Sequence, residues 1–179
     1  MKKLASLFIL LFLFSCGSQK VVVPVDWTNY EAKAMGQGKE GTIILKVYSY
    51  GYTVDNAIER AKMDAVHAVL FKGIPGSNLA RPMVKDGREA HKDYFDNFFG
   101  LYYVKAGKRT MIDPLDLSKV FNAPYKLYVQ LSNDGSVSAS DTFRVGNKYK
   151  AGVVVSVNIK ELRKKLEEDR IINSLNSGF

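Results

Sequence analysis

The sequence predicts an α+β domain: an antiparallel twisted sheet with an alanine-striped helix packed on it and a C-terminal helix. Three observations carry this expectation. Residues 42–52 and 149–159 alternate apolar with polar side chains at the period of two expected of half-buried strands. Directly after the first of these runs, Ala57, Ala61, Ala65 and Ala68 recur at helical spacing. Asp134-Gly135 and Gly146-Asn147 then place turns between the later strands. A length of 179 residues, 46% hydrophobic and 25% charged, suits one globular domain and excludes a disordered chain.

In chain order, residues 16–41 read as a tether and leading arm. Val21-Val22-Val23-Pro24-Val25 is apolar but broken by proline, as an edge strip would be. Residues 34–41, with three glycines, are expected as a loop. The firm part of the domain, 42–179, opens with a strand. Ile43, Leu45 and Val47 point one way, while Ile44, Lys46, Tyr48, Tyr50 and Tyr52 point the other. Gly51 signals a bulge or a close backbone approach. Thr53 is the expected N-cap of the alanine helix, Asp55 complements its dipole, and Gly73 with Pro75 ends it. Small side chains on one stripe let a helix lie close to a sheet.

An insertion at 77–121 follows. Residues 88–99 are expected as a short helix carrying Tyr94, Phe95, Phe98 and Phe99, closed by Gly100. Residues 102–104 and 109–112 are expected as strands around Ala106-Gly107, and 114–121 as a helix with Asp113 as N-cap and Pro114 at its first position. Strands are expected at 125–131, 142–145 and 149–159. The last helix is expected from 160 to about 174, with Leu162 and Leu166 inward and the pairs Glu161–Lys165 and Lys164–Glu168 outward.

The first fifteen residues stand apart from the domain. Lys2 and Lys3 precede an apolar run, 4–14, interrupted only by Ser6. That run is too short for a membrane span of roughly 20 residues but has the length of a signal-peptide core. Leu13-Phe14-Ser15-Cys16-Gly17 follows and resembles the lipobox of bacterial lipoproteins, departing from it only at the bulky Phe14. The resemblance implies cleavage before Cys16 and its modification by acyl chains of the palmitate kind. Each buried methylene adds about 0.8 kcal/mol, so several chains anchor stably. Cys16 is the only cysteine, so a disulfide framework is excluded. Gly17, rather than an aspartate, implies the outer membrane, expected on its periplasmic face; exposure on the cell surface is the alternative.

Loss of Lys2 and Lys3 from 26 basic residues leaves 24 against 18 acidic ones, a net charge of +6. A basic excess often serves nucleic acid, but export argues against nucleic acid as a partner and for anionic lipid or protein groups. Searching for chemistry yields no nucleophile elbow and no phosphate loop. His67 reads as a packed helical histidine. His91 with Asp93 and Asp96 is a thin metal pattern, and Asp134 with Asp141 lacks the dense oxygen ligands of a calcium loop. No enzyme, metal or cofactor is expected.

Strand, glycine, alanine-striped helix, then a strand pair and closing helix resemble the N-terminal domain of the flagellar accessory protein T and similar small envelope lipoproteins. Tyr48-Ser49-Tyr50-Gly51, Asn56-Ala57, the alanines and the strand at 153–157 carry this resemblance, which implies a non-catalytic assembly part of an envelope complex for secretion, motility or surface-structure export. Two clusters are candidate partner surfaces. One is the stripe Tyr48, Tyr50 and Tyr52. The other comprises Tyr94, Phe98, Phe99, Tyr102, Tyr103 and Lys105 in the insertion, with some of these aromatics expected to be substantially exposed and Phe98 or Tyr102 to matter most for capture. A small-ligand or glycan-binding lipoprotein, using the tyrosine stripe and insertion as a pocket, is the alternative, and an unrecognised hydrolase the third. A concave aromatic-lined cavity favours the ligand; a flat exposed aromatic patch favours the protein partner.

Overall fold

The computed structural model describes residues 26–132 and 138–173. Its centre is a pair of long antiparallel strands. β2 (Thr42–Gly51) pairs over its whole length with β7 (Lys148–Asn158), Thr42 lying opposite Asn158 and Gly51 opposite Tyr149. On the outer side of β2 lies β1 (Glu31–Gln37), with a register shift between Ala34 and Gly36. The other edge of β7 is shared by β5 (Val129–Leu131) and β6 (Thr142–Val145), so the open sheet is antiparallel throughout. The fold is α+β, and the strands expected at 42–52 and 149–159 from alternation, and at 142–145 from the flanking turn signals, are found to within a residue at each end.

The period of two has its expected consequence. Ile43, Leu45 and Val47 of β2, with Val153, Val155 and Val157 of β7, are buried beneath helix α1 (Val54–His67). Burying each such side chain contributes about 1.5–3 kcal/mol. The alanine stripe faces them: Ala57, Ala61, Ala65 and Ala68 are all buried. Gly51 marks a close backbone approach, because a Cβ there would strike the backbone of Asn56 and Ala57 in the first turn of α1. The Thr53 hydroxyl caps that turn by accepting from the Asn56 N–H at 3.1 Å. The helix widens into a π turn, Ala68–Lys72, and ends at Gly73, whose φ of 75° suits a residue without a Cβ.

The insertion covers one end of this layer. A 3₁₀ turn at Glu89–His91 leads into α2 (Lys92–Phe98), closed by Gly100. β3 (Tyr102–Lys105) and β4 (Lys108–Met111) form a separate hairpin. Its tip, Ala106-Gly107, has φ of 48° and 74°, the left-handed pair that fits two-residue hairpin loops. The chain closes with α3 (Ile159–Glu168), which buries Leu162 and Leu166 and is capped by Asn158 accepting from the Glu161 N–H.

Four expectations about elements are corrected. Residues 34–37 are not a loop but the end of β1, since β2 offers an unpaired edge on that side. Residues 114–121 form turns rather than a helix. Asp113 and Asp116 take the N–H groups of Leu115 and Ser118, while the carbonyls of Pro114 and Leu115 accept from Arg60 and from the Tyr52 N–H. Of the strand expected at 125–131, only the last three residues pair; Pro124–Tyr128 is a 3₁₀ helix begun by proline. Helix α3 stops near Glu168 because Arg170 turns left-handed, with φ of 58°. There Lys165 pairs with Asp169 at 2.7 Å rather than with Glu161. Val21 to Val25, Cys16 and the Asp134-Gly135 turn lie outside the described residues.

Candidate functional site

Where β2 runs out, the sheet, the hairpin and the leading arm enclose a cleft of about 460 Å³. That volume falls within the ~300–1,000 Å³ of small-molecule sites. Tyr50 and Tyr52 enter it from β2, Tyr103 from the hairpin, Asp113 and Asp116 from the following segment, and Asp26 with Asn29 from the arm. Tyr50 points away from α1 because it lies on the outer face of the strand. Tyr52 comes just after Gly51, is 42% exposed, and has its N–H bound to the Leu115 carbonyl at 3.0 Å.

The floor is an ion pair one helical turn apart on α1. Asp64 is fully buried and accepts from Arg60 Nε at 2.9 Å and from the Ser49 hydroxyl at 2.7 Å. Burial pushes its carboxyl above the ordinary range, opposed by the Arg60 charge and the Ser49 hydrogen bond. Arg60 also donates to the Pro114 carbonyl at 3.1 Å and to the Asp26 carbonyl at 2.6 Å. One guanidinium therefore joins α1, the turn at 114 and the leading arm, which are the floor and two walls. Removing one partner of such a pair typically costs about 3–5 kcal/mol, because the other charge is left buried.

The walls hold carboxylates in fixed positions. Asp26, Asp113 and Asp116 each accept the N–H two residues on, at 2.8, 2.9 and 3.1 Å. The Thr28 hydroxyl and N–H hold the Asp26 carboxyl below the usual carboxylate range, and the Ser118 hydroxyl and N–H do the same for Asp116. Partial burial, reinforced by Asp113, raises the Tyr52 phenol. Lys148 lines the cleft, and Lys119 lies over the Tyr103 ring, 4.9 Å from its centre. Aromatic faces, hydroxyl groups and charges of both signs thus meet in one concavity.

The other candidates fall differently. Phe98 is only 3% exposed and Phe95 and Phe99 are fully buried, so none of these three is an exposed anchor of the kind expected in this segment, and the choice of Phe98 is overturned. Phe95 meets Phe71 edge-on at 4.7 Å, Phe99 faces Tyr125 at 5.8 Å, and Phe98 stacks on Tyr128 at 5.9 Å. These rings are the core of the insertion. Tyr94 is half-buried and donates to Asp169 at 2.6 Å, tying α2 to the end of α3. Tyr102 is half-buried under Arg109, whose guanidinium carbon lies 4.1 Å from the ring centre, while Lys105 is exposed at the hairpin tip. Tyr48 is half-buried against Gly152 and donates to Asp141 at 3.0 Å. Of the expected residues, only Tyr50, Tyr52 and Tyr103 are brought together in the cleft.

His67 is buried, stacked on Trp27 at 4.2 Å, with its Nδ1 2.9 Å from the Tyr30 hydroxyl. Burial pushes its pKa down to about 3, helped by Lys72, Arg60 and Arg88. His91, Asp93 and Asp96 do not form a ligand set, since Arg88 and Lys92 both engage Asp96. Asp141 is taken by Lys46 at 2.6 Å as well as by Tyr48, and Asp134 lies outside the described residues. Among the described residues no group of three or more His, Cys, Asp or Glu is placed to hold a metal.

Sequence reasoning missed Arg60, Asp64, Asn29 and the Asp113–Asp116 turn. A signal for the first two was present: opposite charges at i and i+4 sat on the alanine face of α1, where unpaired charge is not tolerated. Comparison with known proteins adds nothing to this geometry. No family model, no curated protein and no solved structure matches the chain.

Proposed function

We propose that this protein is a lipid-anchored envelope protein that works by binding, and that its site is the tyrosine-lined cleft. The observation that carries the reading is the contrast between two sets of aromatics. Phe95, Phe98 and Phe99 are consumed by packing, whereas Tyr50, Tyr52 and Tyr103 line a concavity of about 460 Å³. Convergent aromatic and polar groups in a cleft suit a small ligand better than a flat partner. The one buried acid of the cleft, Asp64, is bound to Arg60. The anchor at Cys16 and the outer-membrane location belong to the same proposal, supported by the lipobox resemblance.

The test is a thermal-shift screen of the full chain in detergent against pooled neutral saccharides, amino acids, nucleotides and aromatic acids. A ligand present at about a hundred times its Kd should stabilise the fold by roughly 2.7 kcal/mol. The double variant Tyr52→Ala, Tyr103→Ala should keep its unliganded melting temperature within a few degrees and lose the ligand response. A response that survives both substitutions places the site elsewhere.

The reading as an assembly component retains one specific support. β6 pairs only with β7 among the described strands and exposes Phe143 and Val145. An exposed strand edge with apolar side chains suits strand addition by a protein partner.

A further inference from the structure

The cleft does not stop at Tyr50. A second concavity, of about 160 Å³, adjoins it and shares Asn29 and Tyr50 with it. Tyr48, Glu31 and Lys150 line the extension. By itself that volume is below the range of small-molecule sites, but as a continuation it makes a groove. Tyr48 and Tyr50 stand on the same strand face roughly 7 Å apart, set by a rise of about 3.3 Å per residue. Both rings are held in place. Lys150 Nζ lies 5.3 Å from one ring centre and 5.7 Å from the other, and is itself bound to Glu31 at 2.8 Å. The Tyr48 ring also lies against Gly152, where any Cβ would collide with it.

We propose that this groove takes a neutral oligosaccharide chain, with one ring in the main cleft against Tyr52 and Tyr103 and further rings passing Tyr50 toward Tyr48. The inference rests on the cleft being the ligand site, and deepens that reading by naming the ligand class. Sugar rings present flat C–H faces that suit tyrosine platforms, and hydroxyl donors around their rims. Asp26, Asp113 and Asp116 answer those donors. Each has one oxygen fixed by a backbone N–H, and a carboxylate accepts about four hydrogen bonds in all. A purely apolar ligand would strip water from these carboxylates without replacing its hydrogen bonds. An anionic ligand would be repelled by the same groups. A simple cation meets Arg60, Lys119 and Lys148 around the same cleft. An uncharged polyhydroxylated chain satisfies all three conditions.

The experiment is calorimetric titration of the full chain, held in a zwitterionic detergent without a sugar headgroup. The probes are glucose, mannose and N-acetylglucosamine, each against its linear tetrasaccharide, with adenosine monophosphate and tyramine as anionic and cationic controls. The expected result is that one tetrasaccharide binds about tenfold or more tighter than its monomer, the scale of one lost ring contact. Tyr48→Ala should abolish that length dependence and spare monosaccharide binding, whereas Tyr48→Phe, which keeps the ring, should preserve it. The length dependence itself is read on the unaltered chain, so an unstable Tyr48→Ala does not block the test. Equal affinity for monomer and tetrasaccharide overturns the extended groove. Binding of a control in the cleft with no saccharide bound overturns the sugar and leaves the cleft as a ligand site. Absence of binding by every probe here and every pool of the thermal screen overturns both.

Discussion

His67 shows how a residue that looks chemical can be purely structural. Its ring lies between Trp27 and Phe71, and the groups nearest in charge, Lys72, Arg60 and Arg88, all oppose its protonation. The folded-state pKa of about 3 lies below the ordinary 6.5, so the unfolded chain binds the proton more readily. Stability from this residue is therefore complete above about pH 6.5 and is lost as pH falls toward 3, by up to about 1.4 kcal/mol per pH unit. Asp64, whose pKa is raised, contributes with the opposite sign, so the measurement must isolate His67. Urea unfolding of wild type and His67→Gln across that range should show a shallower acid loss in the variant, whose amide can hydrogen-bond but cannot titrate. Parallel curves would mean that His67 takes up its proton as readily in the fold as in the unfolded chain. At this scale the sequence was informative about His67, because apolar neighbours on a helix imply packing. It was misleading about Phe98, because adjacency of six aromatics says nothing about which side of a layer they face.

Among the elements, α1 was the most legible. Its cap, its alanine stripe and its stop at Gly73 are local in the chain and were readable as such. Close contact between α1 and the sheet makes a definite expectation. Ala61→Leu and Ala65→Leu should each cost about 1–3 kcal/mol, because both positions are fully buried with no room for added methylenes. An unchanged melting temperature in the double variant would show that the helix does not seat on the sheet. Elements whose conformation depends on distant partners were not legible. Residues 114–121 carry a good helix start, yet two of their carbonyls are claimed by Arg60 and Tyr52 from across the fold. β1 contains Gly36 and runs into a glycine-rich stretch, and it is a strand because β2 presents a free edge. The segment at 125–131 alternates like a strand, but β7 pairs with only its last three residues.

For the whole molecule, the proposed anchor at Cys16 and the domain make separate expectations. Cys16 precedes the first described residue, Asp26, and no described helix is long and apolar enough to cross a membrane. Cys16→Ser should therefore move the protein from the membrane fraction to the soluble one while leaving the melting temperature unchanged. Continued partition into membranes would show that another segment holds it there. The sequence by itself determined the fold class, the two long strands and the alanine helix, because each is written in the spacing of neighbouring residues. Tertiary structure alone decided where the candidate cleft lies. Tyr50, Tyr103, Asp113 and Asn29 come from four separate parts of the chain, and Arg60 joins the walls between them through carbonyls of residues 34 and 54 positions away. Periodicity records which face of an element is apolar. It does not record which surfaces the packed elements leave open between them.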